Sequence, residues 1–249
     1  MLLQYAKALA KCAKVQYLSK QIYSFAESPR MTNYAKSRKT MVECQLEPNN
    51  ITSEAILEAF DLIPREAFVP EDMKGIAYAD EDLSLGARGF LQEPVVLARM
   101  LEVAKLDPSE NVLNIGDCTG YSAAVLANLV RAVVTIEDEQ CPLTEAKAVW
   151  AGLNATNISL TKGDYAQGCA QMAPYDLILI NGAMATVPTV LLSQLSDGGR
   201  LVGVLKESGR KTGSIVMIKR IGDAYSTQKF FDAAAFYVRG FEPVPAFIF

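Results

Sequence analysis

A strand that runs into a glycine turn and leaves as a helix constrains this chain more than any other feature. The segment Val112-Leu113-Asn114-Ile115-Gly116-Asp117-Cys118-Thr119-Gly120-Tyr121 reads as a buried strand over 111–116 followed by a helix over 121–130. The alternation then repeats. Strands are expected over 132–137, 157–161 and 176–181, helices over 143–153 and 187–195, and Asp197-Gly198-Gly199 turns the chain into a strand over 200–205. Strands joined through helices pair in parallel, because a crossover returns each strand to the same end of the sheet. The expected fold is therefore α/β, a mostly parallel sheet with helices on both faces. Residues 214–220 and the aromatic tail 241–249 are expected to add edge strands. Upstream, a helix is expected over 52–63, capped by Thr52 and ended by Pro64, with Ile56, Ala59, Phe60 and Ile63 on one face. Pro94 opens another, with Leu97, Met100, Leu101 and Ala104 as its apolar stripe.

With 249 residues, the chain suits one α/β domain with short additions. Residues 31–249 are expected to form that domain. Residues 1–30 stand apart: Lys7, Lys11, Lys14, Lys20 and Arg30 face only Glu27, although the whole chain has a net charge of −4. They read equally as an amphipathic helix, a transit-like segment or an extension ahead of a true start at Met31. The acidic remainder offers no surface for nucleic acid, which needs clustered Lys and Arg. No apolar run approaches the roughly 18–20 residues of a membrane span. The chain has no histidine, which excludes His-based triads and His-containing zinc sites. Cys12, Cys44, Cys118, Cys141 and Cys169 include no C-x-x-C pair, so they read as reduced thiols of a cytoplasmic protein with no metal site.

In an open α/β sheet, ligands bind beyond the carboxyl ends of strands, where the topology reverses. Gly116 permits a tight turn there and close backbone approach, and Gly120 allows close packing at the helix start. Glu137 ends the next strand 21 residues after Gly116, near the ~20-residue spacing of an acid that holds ribose hydroxyls. Together these features point to a nucleoside cofactor. The full G-x-G-x-x-G is missing, and Asp117 would repel a pyrophosphate at the helix start, so a dinucleotide fits poorly. A cationic sulfonium tolerates acidic neighbours.

The run Asn114-Ile115-Gly116-Asp117-Cys118-Thr119-Gly120-Tyr121-Ser122-Ala123-Ala124 resembles the glycine loop of the protein-L-isoaspartate O-methyltransferases. The resemblance extends to Ile63-Pro64-Arg65-Glu66-Ala67-Phe68-Val69-Pro70, to Ala77-Tyr78 with Asp80, to Pro94 and to Gly163-Asp164. It continues through Ala173-Pro174-Tyr175-Asp176, Val187-Pro188, Gln194-Leu195 and Gly198-Gly199, and covers residues 41–205 in order. It implies a Rossmann-like, seven-stranded methyltransferase fold with an antiparallel strand near the end. It implies methyl transfer from S-adenosyl-L-methionine to the side-chain carboxylate of an L-isoaspartyl residue in a damaged protein or peptide. The resulting ester would cyclise to a succinimide and reopen partly as normal aspartate. The cofactor positions it implies are Asn114, Gly116, Asp117, Gly120, Glu137, Asp164 beside the adenine, and Asn181.

The chain also departs from that family. Its acceptor loop reads Gly86-Ala87-Arg88-Gly89-Phe90-Leu91-Gln92-Glu93-Pro94, with Phe90 in place of Thr and Gln92 in place of Ser. Gln92 keeps an amide able to donate to a carboxylate, and Arg88 supplies a positive charge, so these two are the candidate catalytic residues. Phe90 and Leu91 also read as ordinary packing residues, and Arg88 as a solvated loop charge. Asn114 replaces Glu and Cys118 replaces Gly in the glycine loop. Three readings stay open: an isoaspartyl methyltransferase with a modified loop, a methyltransferase with another acceptor, and a non-catalytic module that keeps the fold.

Overall fold

The computed structural model describes residues 33–244; the readings of residues 1–30 and of the end of the aromatic tail lie outside them. The described residues open with α1 (Tyr34–Met41) and α2 (Glu54–Leu62). Ser53, not Thr52, caps α2: its Oγ accepts from the Ile56 N–H at 3.5 Å, while the Thr52 hydroxyl donates to Glu102 at 2.7 Å. A two-stranded ribbon, β1 (Leu83–Ser84) with β2 (Phe90–Leu91), precedes α3 (Pro94–Ala104). Then come β3 (Asn111–Ile115), α4 (Tyr121–Ala127), β4 (Ala132–Glu137), α5 (Thr144–Gly152) and β5 (Ile158–Lys162). The chain continues through β6 (Tyr175–Met184), α6 (Thr189–Ser193), β7 (Leu195–Leu205), β8 (Thr212–Ile221) and β9 (Ala224–Ala234).

The seven-stranded sheet has the order β5-β4-β3-β6-β7-β8-β9. The first five strands in that order are parallel; β8 runs antiparallel to β7, and β9 to β8. The topology reverses between β3 and β6, so their carboxyl ends border a crevice.

Period-two alternation assigns the core to two faces. Val112, Val133, Leu177, Leu179, Val202 and Val204 join one apolar cluster with α1 through α5. Leu113, Val134, Ile178, Ile180 and Leu201 join the other. That second face carries Leu191 of α6, Tyr165, Tyr175, Val238 and Phe241. Helices thus lie on both faces, but unequally.

The outer strands correct the expected edges. Residues 214–220 fall in β8, which is interior, and the edge is β9. Residues 241–244 are not in a strand. The β9 sequence lacks apolar alternation because it is exposed over most of its length. Its signal was the turn: Ile221 pairs with Ala224 across Gly222-Asp223, a two-residue hairpin loop with Gly222 at φ 60°. The expected turn at Asp197-Gly198-Gly199 lies inside β7, as a register shift between the Tyr175–Leu195 and Leu177–Arg200 pairs.

Candidate active site

At the end of β3 the chain makes its glycine turn around one carboxylate. Asp117 is buried. Its Oδ1 accepts from the N–H groups of Thr119 (3.2 Å) and Gly120 (2.8 Å), and its Oδ2 from Ala123 N–H (2.9 Å). The first turn of α4 is therefore capped internally, the favoured place for a negative charge. Asp117 Oδ2 also lies 3.0 Å from Ser122 Oγ and 3.2 Å from Asn114 Nδ2. Asn114 Oδ1 accepts from Asn181 Nδ2 at 2.7 Å, and Asn181 Nδ2 also lies 2.8 Å from Ile115 O. Asp117, Ser122, Asn114 and Asn181 form one buried network joining β3, α4 and β6. Its far end, Asn181 Oδ1, is buried without a hydrogen-bond partner.

The two glycines serve the protein's own packing. A Cβ at Gly116 (φ 77°) would lie 2.7 Å from Val238 Cγ1. One at Gly120 (φ 81°) would lie 2.5 Å from Ala146 Cβ and 2.7 Å from the Trp150 ring. Trp150 Nε1 donates to Gly120 O at 2.9 Å, fixing α5 against the loop.

Glu137 and Asp164 share a cavity of about 540 Å³ beyond β4 and β5, with Asp138, Glu139, Gln140, Pro142, Lys162 and Gly163. That volume lies in the usual range of small-ligand pockets. Glu137 Oε1 accepts from Leu143 N–H at 2.8 Å. Asp164 is exposed, with Oδ1 accepting from Ala166 N–H at 2.9 Å. Four carboxylates and one lysine give the cavity an acidic wall, hostile to phosphate and compatible with a cation.

The acceptor loop packs directly on this ground. Gly89 touches the Cys118 side chain, where a Cβ would lie 2.5 Å from Sγ. Phe90 packs edge-on against Phe236, with ring centroids 5.4 Å apart, and closes on Gly182. Gln92 is buried at 4% exposure, and both its amide atoms lack hydrogen-bond partners. Its backbone is held: Arg65, fully buried over the Tyr121 ring, donates from Nη2 to Gln92 O at 2.5 Å and from Nε to Ala77 O at 2.6 Å. Arg88 is half-exposed and faces Glu145 at 4.0 Å, not Gln92.

The sequence reading missed residues 235–241, which cross these loops. Ala183 N–H donates to Phe236 O at 2.8 Å, and Val238 N–H to Ala183 O at 2.9 Å. Arg239 pairs with Asp138 in the cavity wall and donates to Ala87 O of the acceptor loop at 2.6 Å. A segment with little regular structure of its own gives no periodic signal, and only Gly240 (φ 81°) marks it.

A parallel sheet with this reversal, an acid at the end of the second strand of its nucleotide-type half and no free anion cradle at the glycine turn define the Rossmann-like methyltransferase class. The comparisons narrow the class. Residues 36–239 match the family model for protein-L-isoaspartate(D-aspartate) O-methyltransferase. A protein-L-isoaspartate O-methyltransferase of Roseiflexus sp. is 34% identical over 200 residues, covering 80% of this chain and 90% of that one. One from Synechococcus sp. is 40% identical over 181 residues, covering 73% and 74%. The chain belongs to the protein-L-isoaspartate O-methyltransferase family. Among solved structures, a protein-L-isoaspartate O-methyltransferase superposes with a TM-score of 0.71 at 24% identity, over 82% of this chain and 66% of that one. A putative one from Plasmodium falciparum, in complex with S-adenosyl-L-homocysteine, gives 0.68 at 16% identity, over 81% and 98%. At such identities these two carry the fold alone.

Proposed function

We propose that this chain transfers a methyl group from S-adenosyl-L-methionine to the side-chain carboxylate of L-isoaspartyl residues in proteins or peptides. Family membership supports the activity, and one observation carries its assignment to the acceptor loop. Gln92 holds a buried, unpartnered amide in the loop whose Gly89 touches Cys118 of the glycine turn, a costly arrangement unless it meets a ligand.

The residues present fit the cofactor. Glu137 would hold the ribose and Asp164 would sit beside the adenine, both in the wall of one cavity, while Asn181 Oδ1 is a buried acceptor without a partner near the end of β3. Asn114, Asp117, Gly116 and Gly120 shape the loop rather than reach outward. When bound, the cofactor supplies an activated methyl group on a sulfonium. An isoaspartyl carboxylate is ionised at neutral pH and is its own nucleophile, so no general base is required. The chain's work is then to align and to dry the site. Gln92 Nε2 would donate to the acceptor carboxylate, Phe90 would wall off water, and Arg88 would attract the anion from a distance. The free thiols suit a cytoplasmic setting, and among the described residues no helix is long and apolar enough to cross a membrane.

The test is methyl transfer to an isoaspartyl peptide, with S-adenosylhomocysteine affinity measured in parallel. Gln92→Ala should lower transfer by about tenfold or more, the worth of a hydrogen bond to a charged group, and leave cofactor affinity nearly unchanged. A wild type that binds cofactor but never methylates the peptide, beside an active Phe90→Thr/Gln92→Ser variant, would mean another acceptor, as Phe90 in place of a hydroxyl allows.

A further inference from the structure

Two cysteines 23 positions apart in sequence meet at the cofactor loops. Cys118 lies in the glycine turn after β3, and Cys141 in the loop after β4, four residues beyond Glu137. The Cys141 thiol donates to the Cys118 carbonyl oxygen at 3.1 Å, and Cys118 Sγ lies 3.6 Å from the Gly116 carbonyl oxygen, so the Cys141 sulfur rests directly on the residue that carries its partner. Both are free thiols. Gly89 leaves just enough room for the Cys118 sulfur, so the acceptor loop forms the third wall of this contact.

We propose that Cys118 and Cys141 are a reversible oxidation site, which hydrogen peroxide converts to a disulfide tying the glycine loop to the loop that follows Glu137. The two sulfurs have different roles. The polar surroundings supplied by Cys141 and by the Phe90 backbone hold the Cys118 thiol below its ordinary pKa against the effect of burial. The contact with Cys118, together with burial, pushes Cys141 up. Cys118 is also the more accessible of the two: Cys141 is 1% exposed, whereas Cys118 is partly exposed. Cys118 is therefore the attacking thiolate and Cys141 the resolving thiol. In the first step the Cys118 sulfur takes an oxygen from peroxide, the O–O bond breaks, and water leaves, giving a sulfenic acid. In the second the Cys141 sulfur attacks that sulfenic sulfur, the S–O bond breaks, and a second water carries away the thiol proton. Two thiols are oxidised by two electrons and one peroxide is reduced to two waters. An S–S bond of about 2.05 Å draws the Cys118 sulfur to Cys141 and changes its packing against Gly89. The acceptor loop is then repacked and the cavity wall is pinned, so cofactor affinity falls until a dithiol restores it.

The full chain is treated with hydrogen peroxide, digested without reduction and analysed by mass spectrometry, with S-adenosylhomocysteine affinity measured before and after dithiothreitol. The expected result is a linked peptide joining Cys118 and Cys141, its loss on reduction, and a several-fold fall in affinity that dithiothreitol reverses. Cys141→Ser should instead carry Cys118 on to sulfinic acid, and Cys118→Ser should leave Cys141 unmodified. Exposed Cys44 serves as the internal reference for an ordinary thiol. Sulfinic acid at Cys118 of the wild type with no linked peptide overturns the proposal, as does a linked peptide that leaves affinity unchanged. Because the linkage is read by mass, its failure is distinct from any failure of the methyltransferase reading.

Discussion

Glu93 shows how one side chain reports on its loop. It precedes α3 without capping it, and burial beside Asp80 and Asp82 pushes its carboxyl up to about 7. The native chain thus favours protonated Glu93, so the stability this group contributes is present below its unfolded value of 4.5 and is lost as pH rises through about 7. Glu93→Gln should therefore melt above the wild type at pH 8, by up to about 1 kcal/mol after discounting for its half-exposed position, and the gap should shrink toward pH 5. A pH-independent gap would remove Glu93 as its cause. Glu137 carries a different prediction. Glu137→Ala should weaken S-adenosylhomocysteine binding about tenfold or more, the worth of a charged acceptor. Because Glu137 Oε1 also holds Leu143 N–H, Glu137→Gln, which can keep that bond, separates loop collapse from loss of ribose contact. Unchanged affinity in both variants would sink the ribose assignment.

Elements with internal periodicity were legible in the sequence, and elements defined by what they touch were not. β4 spans the expected 132–137 as an almost continuously buried run, and α3 opens at Pro94 as expected. The helix expected over 187–195 shrinks to α6, because only Leu191 within it is buried. Spacing in the sequence pointed to Gly116, Gly120 and Glu137, and the structure brings them to the carboxyl ends of β3 and β4. Spacing could not show that Gly116 is required by Val238, 122 residues away along the chain, nor that Asp117 turns inward. Gly116→Ala should accordingly destabilise the protein for two reasons: a clash with Val238 and a positive φ that a Cβ disfavours. Adding Val238→Ala should recover the first part and leave the second. Thermal melts of the single and double variants measure both, and strict additivity would show that the two elements do not meet there.

Taken whole, the described part of the molecule sets its candidate site where parallel strands end, with residues 235–241 lying across the loops there. Among the described residues the buried core begins at Met41, and the family match begins at residue 36. A chain beginning at Met31 is therefore expected to keep both its melting temperature and its affinity for S-adenosylhomocysteine. A fall of many degrees would show that the first 30 residues belong to the domain. At this scale the carboxylate of Asp117, enclosed by the amides of α4, has a consequence for the company the protein keeps. S-adenosylmethionine and adenosine triphosphate share a base and a sugar and differ in the sign of the charge carried at the sugar's 5′ carbon. On the proposed assignment, the helix terminus that welcomes triphosphate in other nucleotide-binding proteins is already neutralised from within. An energy-rich cell would then not crowd this site with its commonest adenosine compound.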